Sequence, residues 1–179
     1  MGVLEFVLGA FWFILPAYFA NMAPVFMPDW LKLRNVRLDF GKTLKGKPIL
    51  GNHKTLHGLL WAIVWGLGIG MAQKALCESY GWFFCTGVPS GWQIGLMLGL
   101  GAIVGDGIKS FFKRRTTMKP GAQWFPWDQI DYVLGAWALS SMIVRVDWQI
   151  WAFLIIAAPI LHYAVNFLGY KLGMKEVPW

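Results

Sequence analysis

Charge is scarce in this chain. Only 14% of its 179 residues are Asp, Glu, Lys or Arg, and 9 of them are acidic. With 57% hydrophobic residues and a mean hydropathy of +0.51, that scarcity excludes an ordinary soluble domain, in which about a quarter of residues are charged. Cysteine is nearly absent as well. Cys77 and Cys85 allow a single disulfide across "CESYGWFFC", and such a bridge would be structural. No repeat, low-complexity tract or Ser-rich linker divides the chain, so one domain covering residues 1–179 is expected. Also missing is a basic stretch ahead of the first apolar run, which opens Met1-Gly2-Val3-Leu4-Glu5. That run therefore reads as a retained membrane helix and not as a cleaved signal.

What remains is an all-α polytopic membrane protein. A helix needs about 20 apolar residues to cross ~30 Å of hydrocarbon, and five runs qualify: about 3–27, 56–76, 91–112, 129–146 and 148–170. Charge placement orients them. Lys32, Arg34, Arg37, Lys42, Lys45, Lys47 and Lys54 lie between runs one and two. Lys109, Lys113, Arg114, Arg115 and Lys119 surround the end of run three, and Lys171 and Lys175 are in the tail. Five transmembrane helices then leave the N-terminus outside and put the C-terminus and two long loops, about 28–55 and 113–128, in the cytosol. Only Lys74 and Arg145 fall near the outer ends.

The first loop mixes basic residues with Trp30, Leu33, Val36, Leu38 and Phe40, as a segment lying on anionic headgroups would. It also sets Gly41, Gly46 and Gly51 among Lys42, Lys45, Lys47, Lys54 and Thr55. Glycines let backbone N–H groups approach a phosphate, and lysines supply countercharge. The Walker spacing GxxxxGK[ST] is absent, so this is not a P-loop.

The second block, "GDGIKSFFKRRTTMKPGAQWFPWDQIDYVLGA", carries the stronger signal. Asp106, Lys109, Ser110 and Lys113 fall at i, i+3, i+4 and i+7, on one face of a helix. With the membrane surface near Phe112, Asp106 is six residues in, roughly 9 Å deep. Run four is short, which draws Asp128 and Asp131, also i and i+3, toward the same depth. An ionised Asp at a helix centre costs roughly 2.5–3.5 kcal/mol on insertion scales, and less near the interface. Three without partners are hard to tolerate. A divalent cation shared among them and a phosphate-bearing substrate is one answer. The other is that Asp128 caps a helix N-terminus in water while Asp106 pairs with Lys109 or Arg114.

In these residues the chain resembles the CTP-dependent phosphatidate cytidylyltransferases. Their pattern runs Gly-Asp, a Ser four residues after that Asp, Lys-Arg, then a Pro-containing loop leading to Asp-Arg-x-x-Asp or Asp-Arg-x-Asp. Here that corresponds to Gly105-Asp106, Ser110, Lys113-Arg114, Pro126 and Asp128-Gln129-Ile130-Asp131. The chain is most similar to the archaeal branch, the CDP-archaeol synthases, in which a Gly-rich segment ending in Lys-Thr lies upstream. "LDFGKTLKGKPILGNHKTLHG" looks like that segment, with Lys54-Thr55 as its end. Two features depart from the bacterial pattern: no His-Gly-Gly precedes the Asp, and Gln129 stands where Arg is usual.

The resemblance implies a reaction in which the phosphate of an isoprenoid ether lipid, di-O-geranylgeranylglyceryl phosphate, attacks the α-phosphorus of CTP, giving CDP-archaeol and pyrophosphate. It implies Mg²⁺ held by Asp106, Asp128 and Asp131. Lys113, Arg114 and Lys119 would contact the phosphates, Lys54 and Thr55 would close over them, and Ser110 would position a phosphate or a metal-bound water. The enzyme would be a multi-pass protein of the cell membrane with its site facing the cytosol, and no nucleic-acid partner is expected. The alternatives are an ester-lipid CDP-diacylglycerol synthase or a small transporter. A transporter is expected to carry charge near the membrane midplane, where runs two and five offer only His162. His53 and His57, at i and i+4, lack a third ligand and suit polar contacts better than a metal. Trp124, Phe125 and Trp127 suit interface anchors.

Overall fold

The computed structural model describes residues 2–80, 90–116, 118, 122–171 and 173. Five helices follow one another: α1 (Val3–Phe26), α2 (Leu56–Tyr80), α3 (Gly91–Lys113), α4 (Trp127–Ser140) and α5 (Trp148–Lys171). A two-stranded hairpin, β1 (Thr43–Leu44) and β2 (Lys47–Pro48), lies between α1 and α2, with Thr43 opposite Pro48 and Leu44 opposite Lys47. Among the described residues four helices are long and apolar enough to cross a membrane, at Val3–Pro24, Leu56–Tyr80, Gly91–Lys113 and Trp148–Leu168.

The exception is α4. Its 14 residues reach roughly 21 Å, short of a ~30 Å crossing. The apolar run expected over 129–146 starts earlier as a helix and stops six residues sooner. Ser141 Oγ donates to the Trp137 carbonyl at 2.6 Å, and Ile143 N bonds Ser140 O in a turn. Met142, Ile143 and Val144 are apolar but not helical, a distinction that hydropathy does not make.

α3 is the axis of the packing, against α1, α2 and α4. Glycines allow it to be so. A Cβ added at Gly70 of α2 would lie 2.6 Å from the Gly95 Cα, and one at Gly66 would lie 2.7 Å from the Gly95 carbonyl. On the other side, a Cβ at Gly101 would meet the Ala136 Cα at 2.7 Å, and one at Gly135 the Gly105 nitrogen at 2.6 Å. The α3 and α4 backbones therefore touch. Leu98, Ala102, Val133 and Ala136 fill the core beside this seam with Ile14 and Ala17 of α1. α5 docks through aromatic residues: Trp151 stacks on Trp137, and Phe153 meets Phe6 and Phe11 edge-on.

Candidate active site

The glycine seam sets the register of α3 against the first turns of α4, and with it a group of charges. Lys109 Nζ lies 3.2 Å from Asp106 Oδ1, 2.9 Å from Asp128 Oδ1 and 3.0 Å from Asp131 Oδ2. One turn on, Lys113 Nζ lies 2.7 Å from Asp128 Oδ2. That same oxygen accepts the Trp124 backbone N–H at 2.6 Å, which ties the approach to α4 into the cluster. Asp131 Oδ1 accepts its neighbour's N–H, from Tyr132. These side chains are 5–16% exposed, so each charge depends on its partners and little on water.

The sixth member, Lys54, arrives from the loop and pairs with Asp106. Its position follows from how residues 28–55 fold. Asp29 accepts N–H groups from Leu33 at 2.7 Å and Arg34 at 3.0 Å, turning the chain after α1. Asp39 does the larger job. Its carboxylate accepts from Gly41 and Leu50 at 3.0 Å and from Gly51 at 3.4 Å, clasping the hairpin at both ends. Burial alone would push the Asp39 carboxyl up; the three N–H donors and the Arg37 charge outweigh it and hold it below its ordinary value. Leu38 N then bonds Lys54 O, and Leu56 N bonds Val36 O, both at 2.8 Å. This pairing brings Lys54 over Asp106 and starts α2.

Two large cavities adjoin the cluster. A polar one of about 540 Å³ lies under the loop, lined by Lys47, Gly51, Asn52, His53, Lys113 and Arg114 among others. Gly51 turns the loop at φ +100°, a left-handed conformation that favours glycine, and lies beside the Arg114 side chain. The other is an apolar groove of about 660 Å³ between α3 and α4, walled by Val104, Ile108, Phe112, Leu134 and Leu139, with Lys109, Asp131 and Arg115 also lining it. Lys113 and Lys109, which share Asp128, thus face different cavities.

The family model for CarS-like CDP-archaeol synthases matches residues 3–179. The chain belongs to the CDP-archaeol synthase family. A CDP-archaeol synthase of Pyrococcus furiosus is 34% identical over 174 residues, 97% of this chain and 98% of that one. One from Methanocorpusculum labreanum is 35% identical over 184 residues, 93% of this chain and all of its own. A solved structure of an intramembrane enzyme of archaeal membrane-lipid biosynthesis is 30% identical with a TM-score of 0.72, covering 89% of this chain and 94% of that one. With its four long apolar helices, the chain is a membrane protein of this family.

Against the residues expected of a CDP-archaeol synthase, the structure brings Asp106, Asp128, Asp131, Lys113 and Lys54 together and puts Arg114 on the polar cavity. Thr55 caps α2, its Oγ1 accepting the Gly58 N–H at 3.3 Å, and it lines a smaller cavity of about 250 Å³ with Lys54 and Asp106. Ser110 is buried and lines neither large cavity. Lys119 and Cys85 lie outside the described residues. His57 is buried, its Nε2 at 3.3 Å from the Pro28 carbonyl, in line with a polar contact.

The pairing of Asp106 with Lys109 that the i+3 spacing offered is present at 3.2 Å. What sequence reasoning missed is the reach of Lys109 to Asp128 and Asp131 of α4. Its position bears on the metal. Three carboxylates are the hard oxygen donors Mg²⁺ takes. Here they surround an ammonium at hydrogen-bond lengths, and among the described residues no group of three His, Cys, Asp or Glu could hold a metal ion. Carboxylate oxygen is the donor type Mg²⁺ takes, but as arranged here the three groups hold the Lys109 ammonium in the place a metal would need.

Proposed function

We propose that this protein is a CTP:lipid-phosphate cytidylyltransferase that makes CDP-archaeol from an isoprenoid ether-lipid phosphate, with CTP in the polar cavity and the lipid in the α3–α4 groove. The observation that carries this reading is the shared wall. A cluster of three carboxylates and three lysines separates a basic, polar cavity from an apolar groove, and both open onto it. A triphosphate suits the first and prenyl chains the second, so the two reacting phosphates meet at the cluster.

In the reaction an oxygen of the lipid phosphate attacks the α-phosphorus of CTP, the bond from that phosphorus to the bridging oxygen breaks, and pyrophosphate leaves with the electron pair. The attacking phosphate is already ionised, so no strong base is needed. Catalysis rests on positioning and charge. Lys113, Arg114 and Lys119 neutralise the triphosphate, and Lys54 closes from the loop, with Thr55 holding the start of α2 beneath it and Ser110 supporting the same face of α3. Asp106, Asp128 and Asp131 would hold Mg²⁺ in place of the Lys109 ammonium, and the metal would offset charge on the phosphates. Lys109 keeps the three carboxylates gathered on the wall between the cavities.

In this reading the N-terminus is outside, the loops of residues 28–55 and 113–128 face the cytosol, and α4 is a short fifth crossing where the bilayer thins. Incubating the detergent-purified protein with labelled CTP, Mg²⁺ and either an ether-linked or an ester-linked lipid phosphate tests it. CDP-lipid with the ether substrate is expected. No product from any lipid phosphate would rule the enzyme out, and equal rates on both would remove the ether preference.

A further inference from the structure

The α3–α4 groove is lined by two cations, and they are not in the same condition. Lys109 is committed to three carboxylates. Arg115 has no acidic partner among the described residues. Its Nη1 donates to the carbonyls of Phe111 at 2.6 Å and Ile49 at 3.4 Å, and its guanidinium carbon lies 3.4 Å from the centre of the Phe111 ring. Nη2 is buried and has no acceptor among the described residues. A desolvated guanidinium N–H without an acceptor is unfavourable, and an oxyanion relieves it, since the guanidinium fork matches a phosphate edge. The ring fixes the plane of that fork.

What kind of anion it meets follows from the walls. Arg115 lines the groove with Ile108, Phe112 and Leu139, whereas Lys113 and Arg114, the two residues before it, line the polar cavity. Free CTP gains nothing from apolar walls. An amphiphile with long chains and one ionised headgroup uses both features.

We infer that Arg115 binds the phosphate of the lipid substrate and so sets which amphiphiles enter the groove, an assignment that rests on the cytidylyl-transfer reading above. The three consecutive basic residues divide the work: Lys113 and Arg114 serve the nucleotide, Arg115 the acceptor. Phe111 and the Ile49 carbonyl hold the guanidinium in place.

The test compares wild type, Arg115→Met and Arg115→Lys in nanodiscs. Equilibrium binding of the ether-lipid phosphate is measured without CTP, beside the same diether lipid ending in a free hydroxyl. KM is measured separately for lipid phosphate and CTP. Arg115→Met is expected to weaken lipid-phosphate binding and raise its KM by roughly tenfold or more, with the hydroxyl lipid and the KM for CTP unchanged and Arg115→Lys in between. Unchanged lipid-phosphate affinity overturns the assignment. So does an equal rise in the KM for CTP, which would mean that Arg115 merely braces the loop at Ile49. Displacement of the bound lipid by millimolar inorganic phosphate or pyrophosphate would make this a site for free phosphate and would also overturn it. Binding needs no turnover, so these failures are distinguishable from a wild-type protein that makes no CDP-lipid.

Discussion

The polar cavity and the apolar groove share a wall but are built by different means. The cavity's roof is a loop whose hairpin is clasped by one carboxylate: among the described residues only Asp39 joins Gly41 to Leu50 and Gly51 by side-chain hydrogen bonds. The groove lies between two helices whose backbones touch at Gly101, Gly105 and Gly135. Adjustable polar contacts therefore bound one side and fixed backbone contacts the other. Substitutions on the wall should disturb both sides, and those in the roof only one.

The largest effect is expected on the wall itself. Asp128→Asn loses the acceptor charge for Lys109 and Lys113, and turnover should fall by about a thousandfold, or ~4 kcal/mol of transition-state stabilisation, with helicity retained. Activity near wild type would take Asp128 out of the site. Next is Lys109→Met, which leaves three buried carboxylates without their common partner. In chelator the variant should lose about 3 kcal/mol of stability. Added Mg²⁺ should return more of its melting temperature than it adds to wild type, because the metal replaces the ammonium. A melt indifferent to Mg²⁺ would argue against carboxylate ligation.

The seam comes third. Gly135→Ala forces a methyl group against the Gly105 nitrogen and should cost about 2 kcal/mol through overpacking, lowering both the melting temperature and lipid turnover. Asp39→Asn should cost least, about 1 kcal/mol. Its signature is local: faster hydrogen exchange at Gly41, Leu50 and Gly51, with the α3 and α4 amides unaffected. The pH dependence has a definite sign. The folded Asp39 carboxyl titrates below its unfolded value of about 3.9, so its stabilisation is full above that value and is lost as pH falls through the folded one. Wild-type protection at these amides should fade in acid, while the asparagine variant lacks it at neutral pH.

These elements were unequally legible in the sequence. Long apolar runs reported α1, α2, α3 and α5 to within a few residues, since length and hydropathy are what a bilayer selects. The end of α4 was not readable, because Met142, Ile143 and Val144 are as apolar in a turn as in a helix. Asp106, Lys113, Asp128 and Asp131 could be grouped from their i, i+3 and i+7 spacing, but the role of Lys109 depends on α4 packing at backbone distance. The stripe contains it; only the seam shows what it touches. Asp39 was harder still, as its partners are main-chain N–H groups up to 12 residues away, and no residue type announces that. The hairpin turns at Lys45 and Gly46 with φ of 52° and 75°, without the Asn-Gly pair that would have marked it.

A seam without side chains has no rotamers to freeze. Where Gly101 and Gly105 meet Gly135 and Ala136, the separation of the two helices is fixed by main-chain atoms, so the carboxylates on either side inherit it without further ordering. Little conformational entropy is left for a ligand to remove from the helices. The cost of closing the site then falls on the loop that carries Lys54 and on the substrates themselves. Differences in affinity among relatives of this enzyme should accordingly follow the stiffness of that loop more closely than the composition of the helical wall.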